Sequence, residues 1–578
     1  MSDIIVGIDL GTTNSAVAFV QDGQPRILSK GNQRIIPSVV ASSKQAGWLV
    51  GRPALNQYVL DPDNTVRSIK RQMGSPERVK LGGREFSPQE ISAFILRELK
   101  TIAEEDLGRP VNSAVITVPA YFTNAQRTAT EEAGQIAGLE VVRIINEPTA
   151  AALAYGLNQE EDQLALIYDL GGGTFDVSLV EMTGGVVEVR ASHGNTHLGG
   201  DDFDEVLAER VGKQFFKKHQ ISLKDNRVAM ARLNRAAEMA KIQLSDFPEV
   251  CLREEYLVEQ NGRPLHLESI VSRPEFEELI EPFLDQTLES LEQVFNDADL
   301  GVDDLSRVLL VGGSTRMPIV WTLLANYTGL EPDVEIDPDE VVALGAAVQA
   351  AIIAGQPVDS ILVDVTPYSL GIETAMRIGS GQIIPDIYDA LIHRNTTIPV
   401  TKEQIFQAVH PHQEAVQVKV YQGEAPVASA NTLLGEFIIE GLKPEFPGEP
   451  ASVNVRFDFD VNGMLHVSAV DRGSGTQNRV SVQATQARLT PSEIAKAREQ
   501  LAEIDHFADP DDKVFQPVID PEIQALLNRA QALLESGALN EAQTTSLLEL
   551  MEDIDDAESQ DELDDLAEEL LDALFDLE

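Results

Sequence analysis

The sequence predicts a multidomain protein with an α/β region first, an antiparallel β-sandwich second and a short all-α region last. Up to about residue 355, short β-branched runs alternate with helical patterns and glycine-rich turns. Over residues 366–487 the pattern is β throughout, and from residue 488 onward it is helical and acidic. With 578 residues there is room for several domains of ordinary size. We therefore expect a first domain over 1–355, a linker over 356–365, a sandwich over 366–487 and helices over 488–578.

In the α/β region, four apolar runs indicate buried strands: residues 4–10, 113–118, 164–170 and 307–311. The longest uncharged and mostly apolar run, residues 341–355, is shorter than the ~18–20 residues that cross a bilayer. The first residues lack the basic and apolar segments of a signal peptide. These observations predict a soluble, cytoplasmic protein.

The linker and the β region carry clear local signals. Residues 361–363 are a small apolar patch closed by Asp364, which predicts either a short strand or a linker that docks against a domain. Apolar and polar residues alternate over 416–420 and 453–461, as in half-buried strands. Asn462-Gly463 then predicts a hairpin with a type I′ turn.

The last region begins with a helix start, because Thr490 can cap, Pro491 suits the first helical position and Glu493 completes a capping box. Two apolar stripes follow at helical spacing. They are Ile494, Ala497, Leu501 and Ile504, then Leu563, Leu566, Leu570, Leu574 and Leu577. After Arg529 there is no basic residue, while residues 535–578 carry 17 carboxylates. We interpret this as a solvated acidic face, with a cation or partner site as the alternative.

Composition excludes several classes of function. Lysine and arginine total 44 against 94 acidic residues, a net charge of −50 that argues against binding to nucleic acid or to an anionic membrane. The single cysteine, Cys251, excludes an internal disulfide and any multi-cysteine metal site. His410-Pro411-His412 lacks further ligands nearby in sequence, and we interpret it as an ordinary loop.

Two segments 160 residues apart share one pattern: an apolar strand, an aspartate, a Gly/Thr turn and another strand. They are residues 8–15, with Asp9, and residues 168–178, with Asp169. Glycine turns let backbone N–H groups converge on phosphate oxygens, and strand-end carboxylates suit a hydrated Mg²⁺. A third glycine turn, 311–318, also follows a strand, and the sequence has no P-loop motif. Each turn alone is compatible with a simple tight turn, but three in this order favour a nucleotide site.

Together, residues 8–15, 145–152, 169–178 and 312–318 resemble the nucleotide-binding signatures of the heat shock protein 70 family, the DnaK-type molecular chaperones. The resemblance extends over essentially the whole chain and is strongest to the shorter, HscC-like branch. It implies an actin/hexokinase-like ATPase domain in which two related halves close over ATP. The sandwich would then bind peptide, and the acidic helices would form a lid.

The resemblance also implies roles for individual residues. The catalytic set would be Lys70, Glu147, Asp169 and Thr174, and Asp9, Asp169 and Asp176 would organise Mg²⁺ and an accompanying K⁺. Phosphoryl transfer needs mainly positioning and charge neutralisation, so this set is sufficient. The remaining contacts to ATP or ADP would come from Gly11, Thr12, Thr13, Asn14, Gly172, Gly173, Glu238, Lys241, Ser245, Gly312, Gly313, Ser314, Arg316 and Asp339. Without the resemblance, Glu238 and Lys241 would be a surface ion pair of one helix.

The resemblance also implies an allosteric relay, which would couple the ATP site to peptide binding, and a peptide cleft. The relay would comprise Pro119, Arg127, Arg143 and Asp364. The cleft would be lined by Ile372, Phe406, Val409, Val416, Val418 and Met464. From the residues alone, Pro119 simply ends a strand, and the apolar residues of the β region are sandwich core. The loop between Thr374 and Asn395 is longer than in typical members of the family.

The expected function is therefore ATP hydrolysis coupled to the binding and release of unfolded or extended apolar polypeptides, as in protein folding and stress response. The expected partners are a J-domain co-chaperone and a possible nucleotide-exchange factor, with no nucleic acid and no membrane. Three alternatives remain open at this point: a specialised single-client assembly chaperone, a small-molecule kinase, and an exchange-factor-type relative on the same fold.

Overall fold

The computed structural model describes residues 4–44, 47–156, 162–356, 361–378, 382–446, 448–474, 477–480 and 488–504, with single helical positions between 523 and 574. The chain divides into two compact units, Met1–Ala41 with Val50–Glu503, and Ser42–Leu49 with Ile504–Glu578. The first unit contains both the α/β region and the sandwich.

The first α/β sheet lies in the first half of the α/β region. Its strands, in spatial order, are Glu140–Asn146, Ser113–Val118, Ile5–Leu10, Asn14–Gln21 and Gln24–Ile27, with Ile36–Pro37 paired to Asn14–Gln21. The last three strands of this order form an antiparallel meander, and the first two run parallel to Ile5–Leu10 and to each other.

The second α/β sheet repeats that plan. Its order is Arg307–Val311, Gln163–Leu170, Phe175–Thr183, Val186–Asn195, Ile361–Val365 and Thr397–Ile398. Gln163–Leu170 begins an antiparallel meander and has a parallel strand on its other side, as Ile5–Leu10 does. The sequence repeat is therefore a repeat of structure, and the prediction of two related halves is confirmed.

Helices pack on these sheets. They are Arg52–Tyr58, Pro88–Leu107, Asn124–Ile136, Glu147–Gly156, Gly200–His219, Arg227–Asp246, Arg273–Ala298, Pro318–Thr328 and Val341–Ile353, with 3₁₀ turns at Pro62–Asn64, Ile69–Gln72, Val302–Asp304 and Gly313–Arg316. Five short strands and one long hairpin complete the region: Val40–Ser43, Gly47–Val50, Thr65–Val66, Val79–Leu81 and Arg84–Phe86, then Glu249–Gln260 with Arg263–Ser272. Helix Val341–Ile353 accounts for the long apolar run, because it is buried in the core of the α/β region. In the part of the chain that the structure covers, no helix combines the length and apolarity needed to span a bilayer.

The apolar patch of the linker is a strand. Ile361–Val365 pairs in parallel with Val186–Asn195 and antiparallel with Thr397–Ile398. Both features that the sequence left open are therefore observed, because the segment is a short strand and it also docks against a domain. It docks on the edge of the second α/β sheet because its backbone groups complete that sheet.

The sandwich consists of two four-stranded antiparallel sheets. One is Gln382–Ile392, Leu370–Ile378, Ala415–Gln422 and Thr432–Glu440, and the other is Val400–Gln407, Ser452–Phe459, Leu465–Asp471 and Gln477–Val480. A 3₁₀ turn, Ala428–Ala430, connects two strands of the first sheet. The inward-facing residues of both sheets form one apolar core.

Two local expectations in the β region are wrong. The turn at Asn462-Gly463 is a hairpin turn, but only Gly463 has a positive φ, whereas a type I′ turn needs positive φ at both central residues. The Asp460 side chain sets this geometry by accepting from the backbone N–H groups of Asn462 and Met464, at 2.8 and 3.0 Å. The long segment between Thr374 and Asn395 is also largely a continuation of a β-hairpin, with Met376 opposite Ile384, rather than a loop.

The helix start at Thr490 is confirmed. Helix Pro491–Ala502 has the capping box between Thr490 and Glu493, and its buried residues are Ala497 and Leu501. In the second unit, helical positions share an apolar core that includes Ile523, Leu547, Leu570 and Leu574. Leu566 packs partly against it, while Leu563 and Leu577 lie outside the described residues.

Candidate functional site

A cavity of about 1340 Å³ lies where the three glycine turns meet. The turn after Ile5–Leu10 faces the turn after Gln163–Leu170 so closely that a Cβ atom on Gly172 would come within 1.8 Å of the Thr13 hydroxyl. A side chain at this position would therefore force the Thr13 side chain to move. Glycine turns of this kind let backbone N–H groups converge on phosphate oxygens.

Nearly all residues predicted to hold the nucleotide line this cavity. They are Asp9, Gly11, Thr12, Thr13, Asn14, Lys70, Glu147, Asp169, Gly172, Thr174, Glu238, Lys241, Ser245, Gly312, Gly313, Ser314, Arg316 and Asp339. Two predicted residues do not line it directly. Gly173 packs behind the turn, near Thr12, and Asp176 is buried beside Asp169 on the neighbouring strand.

The floor of the cavity is rich in buried carboxylates. Burial, followed by the charge of Glu147, raises the pKa of Asp9 to about 7 and that of Asp169 well above its ordinary value. Burial and Glu147 likewise raise the pKa of Asp176 well above its ordinary value. Lys70 donates to Glu147, and although burial alone would lower the pKa of Lys70, the surrounding carboxylates raise it. The site therefore contains more negative charge than its one buried lysine offsets.

A divalent cation suits this floor. Asp176 Oδ1 is buried without a hydrogen-bond partner, and so is the Thr13 hydroxyl. The described His, Cys, Asp and Glu side chains do not converge as a set of direct metal ligands. Mg²⁺ keeps several waters and is usually held by one or two carboxylates together with substrate phosphates.

Helix Arg227–Asp246 forms one wall of the cavity. Its residues Glu238 and Lys241 do not pair with each other as a surface ion pair, which was the alternative interpretation. Glu238 accepts from Arg67 at 2.7 Å across the cavity, rather than from Lys241 on its own helix. Lys241 donates to Asp204 at 2.9 Å. Burial alone would raise the pKa of Glu238, but Arg67 and Arg235 lower it overall. The Arg67–Glu238 pair thus joins the two halves of the α/β region over the cavity.

Sequence reasoning missed Arg67 and the neighbouring contacts across the cavity. Ser68 donates to Asp201 at 2.6 Å, and Arg71 forms a two-bond pair with Asp202. The signal that was available is the cluster of basic and hydroxyl side chains around Lys70. At the opposite rim Arg316 pairs with Asp339 at 2.9 Å.

The predicted relay residues meet next to the cavity. Asn146, which precedes Glu147, accepts from Arg127 Nη2 at 2.6 Å through its Oδ1 and donates to Asp364 at 3.0 Å through its Nδ2. Thr149 also donates to Asp364 at 3.0 Å. The strand that carries Asp364 is therefore fixed to the same turn that presents Glu147 to the cavity.

Arg127 connects this turn to the sandwich. It is buried and donates to the backbone carbonyls of Ala120, Phe122 and Asn462, at 3.0, 3.2 and 3.5 Å. Pro119 ends strand Ser113–Val118, and its carbonyl accepts from Phe122 N–H at 3.1 Å.

Arg143 is half-buried on the neighbouring strand, where burial lowers its pKa and Asp460 and Asp364 oppose that shift. Further contacts between the α/β region and the sandwich include Tyr368 to the Tyr121 carbonyl, at 3.0 Å, and Arg394 to Asp297, at 2.6 Å. The two regions are therefore joined on several sides of Arg127.

The predicted peptide residues fall into two groups. Ile372 and Val418 are buried in the sandwich core, and Phe406 and Val416 pack partly against it. Val409 is half-buried in the following turn, where its N–H donates to Gln413. Met464 lies in the hairpin turn, and its sulfur accepts from the Thr128 hydroxyl of the α/β region at 3.9 Å. The structure thus brings four of the six together and places Met464 at the junction between the two regions.

Comparison with known proteins agrees with this architecture. A protein-family model described as Hsp70 protein matches residues 5–80 and 76–574. The chain is also 48% identical over 488 residues to the chaperone protein DnaK of Thermotoga neapolitana, a match that covers 83% of this chain and 80% of that protein. A match of this extent shows that the chain belongs to the Hsp70 family.

Proposed function

We propose that this protein is an ATP-dependent molecular chaperone that hydrolyses ATP in the central cavity and uses the cycle to bind and release extended apolar polypeptide segments. One observation carries the coupling. Asn146 and Glu147 are adjacent, and while Glu147 faces the cavity with Lys70, Asn146 holds both Asp364 of the linker strand and Arg127 beneath the sandwich. A change of geometry at one peptide unit therefore reaches both regions.

In the cavity, the glycine turns bind phosphate through backbone N–H groups, and Lys70 supplies the positive charge nearest to the transferred phosphoryl group. Glu147, with Asp169 and Thr174, orients the attacking water. Asp9, Asp169 and Asp176 would hold a hydrated Mg²⁺, which offsets phosphate charge when bound, and a K⁺ would share this carboxylate-rich floor. The Glu238, Lys241 and Ser245 face would contact adenosine.

The coupling residues would act by holding the linker strand and the sandwich turn in place through hydrogen bonds. Arg127 donates to Asn146 and to two backbone carbonyls of the α/β region. Its fourth bond, to the Asn462 carbonyl, is kept only while the sandwich turn stays in place. Asp364 is buried and holds the linker strand through Asn146 and Thr149. Pro119 and Arg143 flank this network. ATP and peptide would favour opposite arrangements of the network, as coupling between two sites requires.

In the sandwich, Ile372, Phe406, Val416 and Val418 would form the pocket for one apolar side chain of the bound segment, with Val409 and Met464 at its margins. The domain boundaries at residues 355, 365 and 487 and the role of the last helices as a lid belong to this proposal. We also propose that the protein works with a J-domain co-chaperone and a nucleotide-exchange factor, and that it is located in the cytoplasm. No observation favours a small-molecule kinase, an exchange-factor-type relative or a single-client specialist.

The test is release of a fluorescent apolar peptide from the purified full-length protein, followed by anisotropy after addition of Mg²⁺ and either ATP or ADP. We expect ATP to speed release about tenfold over ADP, within the usual range of coupling free energies. Asn146→Ala should reduce that ratio to about twofold, because it removes the contacts to Arg127 and Asp364. The matched control is Asn112→Ala, an exposed asparagine in the same region, which should leave the ratio unchanged. Equal release with ATP and ADP in the native protein would contradict the proposed coupling.

A further inference from the structure

The hairpin formed by Leu370–Ile378 and Gln382–Ile392 extends beyond the sandwich. Leu370–Ile378 pairs with strand Ala415–Gln422 only as far as Ile372 opposite Val420. Its pairing with Gln382–Ile392 continues farther, to Ile378 opposite Gln382. Past Ile372 the hairpin therefore leaves the sheet as a two-stranded arm.

The register decides which side chains of the arm share the face of the peptide pocket. Ile372 points into the core, whereas the next residue, Glu373, points outward and accepts from Lys419 at 2.9 Å. Because strand side chains alternate, Met376 and Ile378 lie on the inward side with Ile372. The bulge between Thr374 and Met376 adds its extra residue to the partner strand, so this alternation is not interrupted.

The partner strand gives an independent check of the face. Asp389 lies opposite Ile372 and accepts from Gln404 of the facing sheet at 3.0 Å, so this position also points inward. Ile384 lies directly opposite Met376 and shares its side of the arm. Met376, Ile378 and Ile384, which we name the arm stripe, therefore continue the inward face of the sandwich.

The arm stripe is apolar and exposed. Its three side chains are 53%, 46% and 39% exposed, in the order Met376, Ile378 and Ile384. The base of the arm is fixed, since Ser429 donates to Asp386 through both its N–H and its hydroxyl, at 2.8 and 2.6 Å. A fixed, contiguous apolar surface of this kind is typical of a binding site.

We propose that the arm stripe is a second contact for the bound polypeptide, next to the pocket around Ile372, so that the protein selects segments with apolar side chains at two or three alternate positions. The proposal rests on the proposed function and specifies its substrate. Alternate side chains of an extended segment are about 6.6–6.8 Å apart, the same spacing as Ile372, Thr374, Met376 and Ile378 along their own strand. An extended segment lying beside the arm thus meets apolar side chains at its own period at Met376 and Ile378, one alternate position, Thr374, beyond the pocket residue Ile372.

The experiment compares two fluorescent peptides of equal length and charge, one with a single leucine and one with leucines at three alternate positions. We expect the native protein to bind the three-leucine peptide about tenfold more tightly, because more apolar area is buried. The triple substitution Met376→Ser, Ile378→Ser and Ile384→Ser should reduce that preference to about twofold, while the affinity for the single-leucine peptide stays within about twofold of the native value.

The control is Leu433→Ser. Leu433 is 48% exposed and lies opposite Tyr421, whose hydroxyl reaches the outward-pointing Glu373, so it presents similar apolar surface on the other face. The preference should not change in this variant. If the triple variant unfolds, Ile378→Ser alone, near the end of the described strand, should still lower the preference about threefold.

The outcomes separate the two proposals. An unchanged preference in the folded triple variant overturns the arm stripe and leaves the chaperone function intact. Failure of the native protein to bind either peptide overturns the proposed function itself. Self-association of the native protein that the triple substitution abolishes, measured by sedimentation velocity, would assign the stripe to a second copy of the chain and overturn the peptide contact.

Discussion

The nucleotide cavity and the sandwich core are built by different rules. The cavity is lined by charged and hydroxyl side chains whose individual atoms are paired across it, as Arg67 with Glu238 and Lys70 with Glu147. The sandwich core is formed by aliphatic and phenylalanine side chains that pack together without hydrogen bonds or ion pairs. One site therefore depends on the identity of single residues, and the other on the apolar character of a whole face.

The largest expected effect tests the first half of this comparison. Lys70→Ala should retain nucleotide but lower single-turnover hydrolysis by about 10²–10³-fold, because one preorganised charge is lost from the transition state. Quench-flow measurement with radiolabelled ATP gives the rate, and nucleotide affinity measured separately shows whether binding is retained. A native rate would remove Lys70 from the catalytic set.

The second prediction concerns the charge of the cavity floor. The pKa of Asp9 is about 7 in the folded protein, against 3.8 ordinarily, so its neutral form is favoured by folding. This contribution to stability is present below pH ~4 and is lost as the pH rises through 7. Without nucleotide or Mg²⁺, Asp9→Asn should therefore raise the thermal unfolding midpoint by several degrees at pH 8 and by much less at pH 5. Equal differences between variant and native protein at the two pH values would show that Asp9 ionises without penalty.

The smallest expected effect tests the sandwich. Val416 packs partly against the core, and Val416→Leu changes volume while keeping the face apolar. We expect the affinity for a generic apolar peptide to change by less than about threefold, since cores tolerate apolar substitutions of similar size. Anisotropy titration measures this. A change of a hundredfold would mean that the sandwich, like the cavity, depends on individual atoms.

The same difference explains how much could be predicted from the sequence. The glycine turns and their aspartates are local patterns with strict backbone requirements, so they could be predicted from the residues themselves. The other residues that line the cavity, such as Lys70 and Glu147, were predicted only from the resemblance to the family. Gly173 and Asp176 were also predicted, but each lies one layer behind the lining. Arg67 was missed because its partner, Glu238, is 171 positions away in sequence, and no local pattern encodes a contact at that distance.

In the sandwich, alternation predicted the faces but not the details that depend on tertiary contacts. The turn at Asn462 departed from the expected type because the Asp460 side chain caps it, a contact that outweighs the dipeptide preference. Met464 was assigned to the peptide pocket from resemblance alone, and that role remains a prediction alongside its contact with Thr128. The segment after Thr374 was predicted to be a loop because the glycines at positions 379 and 381 of the sequence interrupt any strand pattern there.

The contact between Arg127 and the sandwich has a consequence for how these regions can be recombined. Arg127 reaches the sandwich through a main-chain carbonyl, and a Cβ atom on Gly463, whose φ is +73°, would come within 3.1 Å of the guanidinium carbon. This contact therefore depends on the course of the sandwich backbone and not on the side chain at position 462. A sandwich transplanted from a divergent relative should keep this joint if it keeps an aspartate and a glycine at positions 460 and 463, whereas the pair of Arg394 with Asp297 would have to be matched separately.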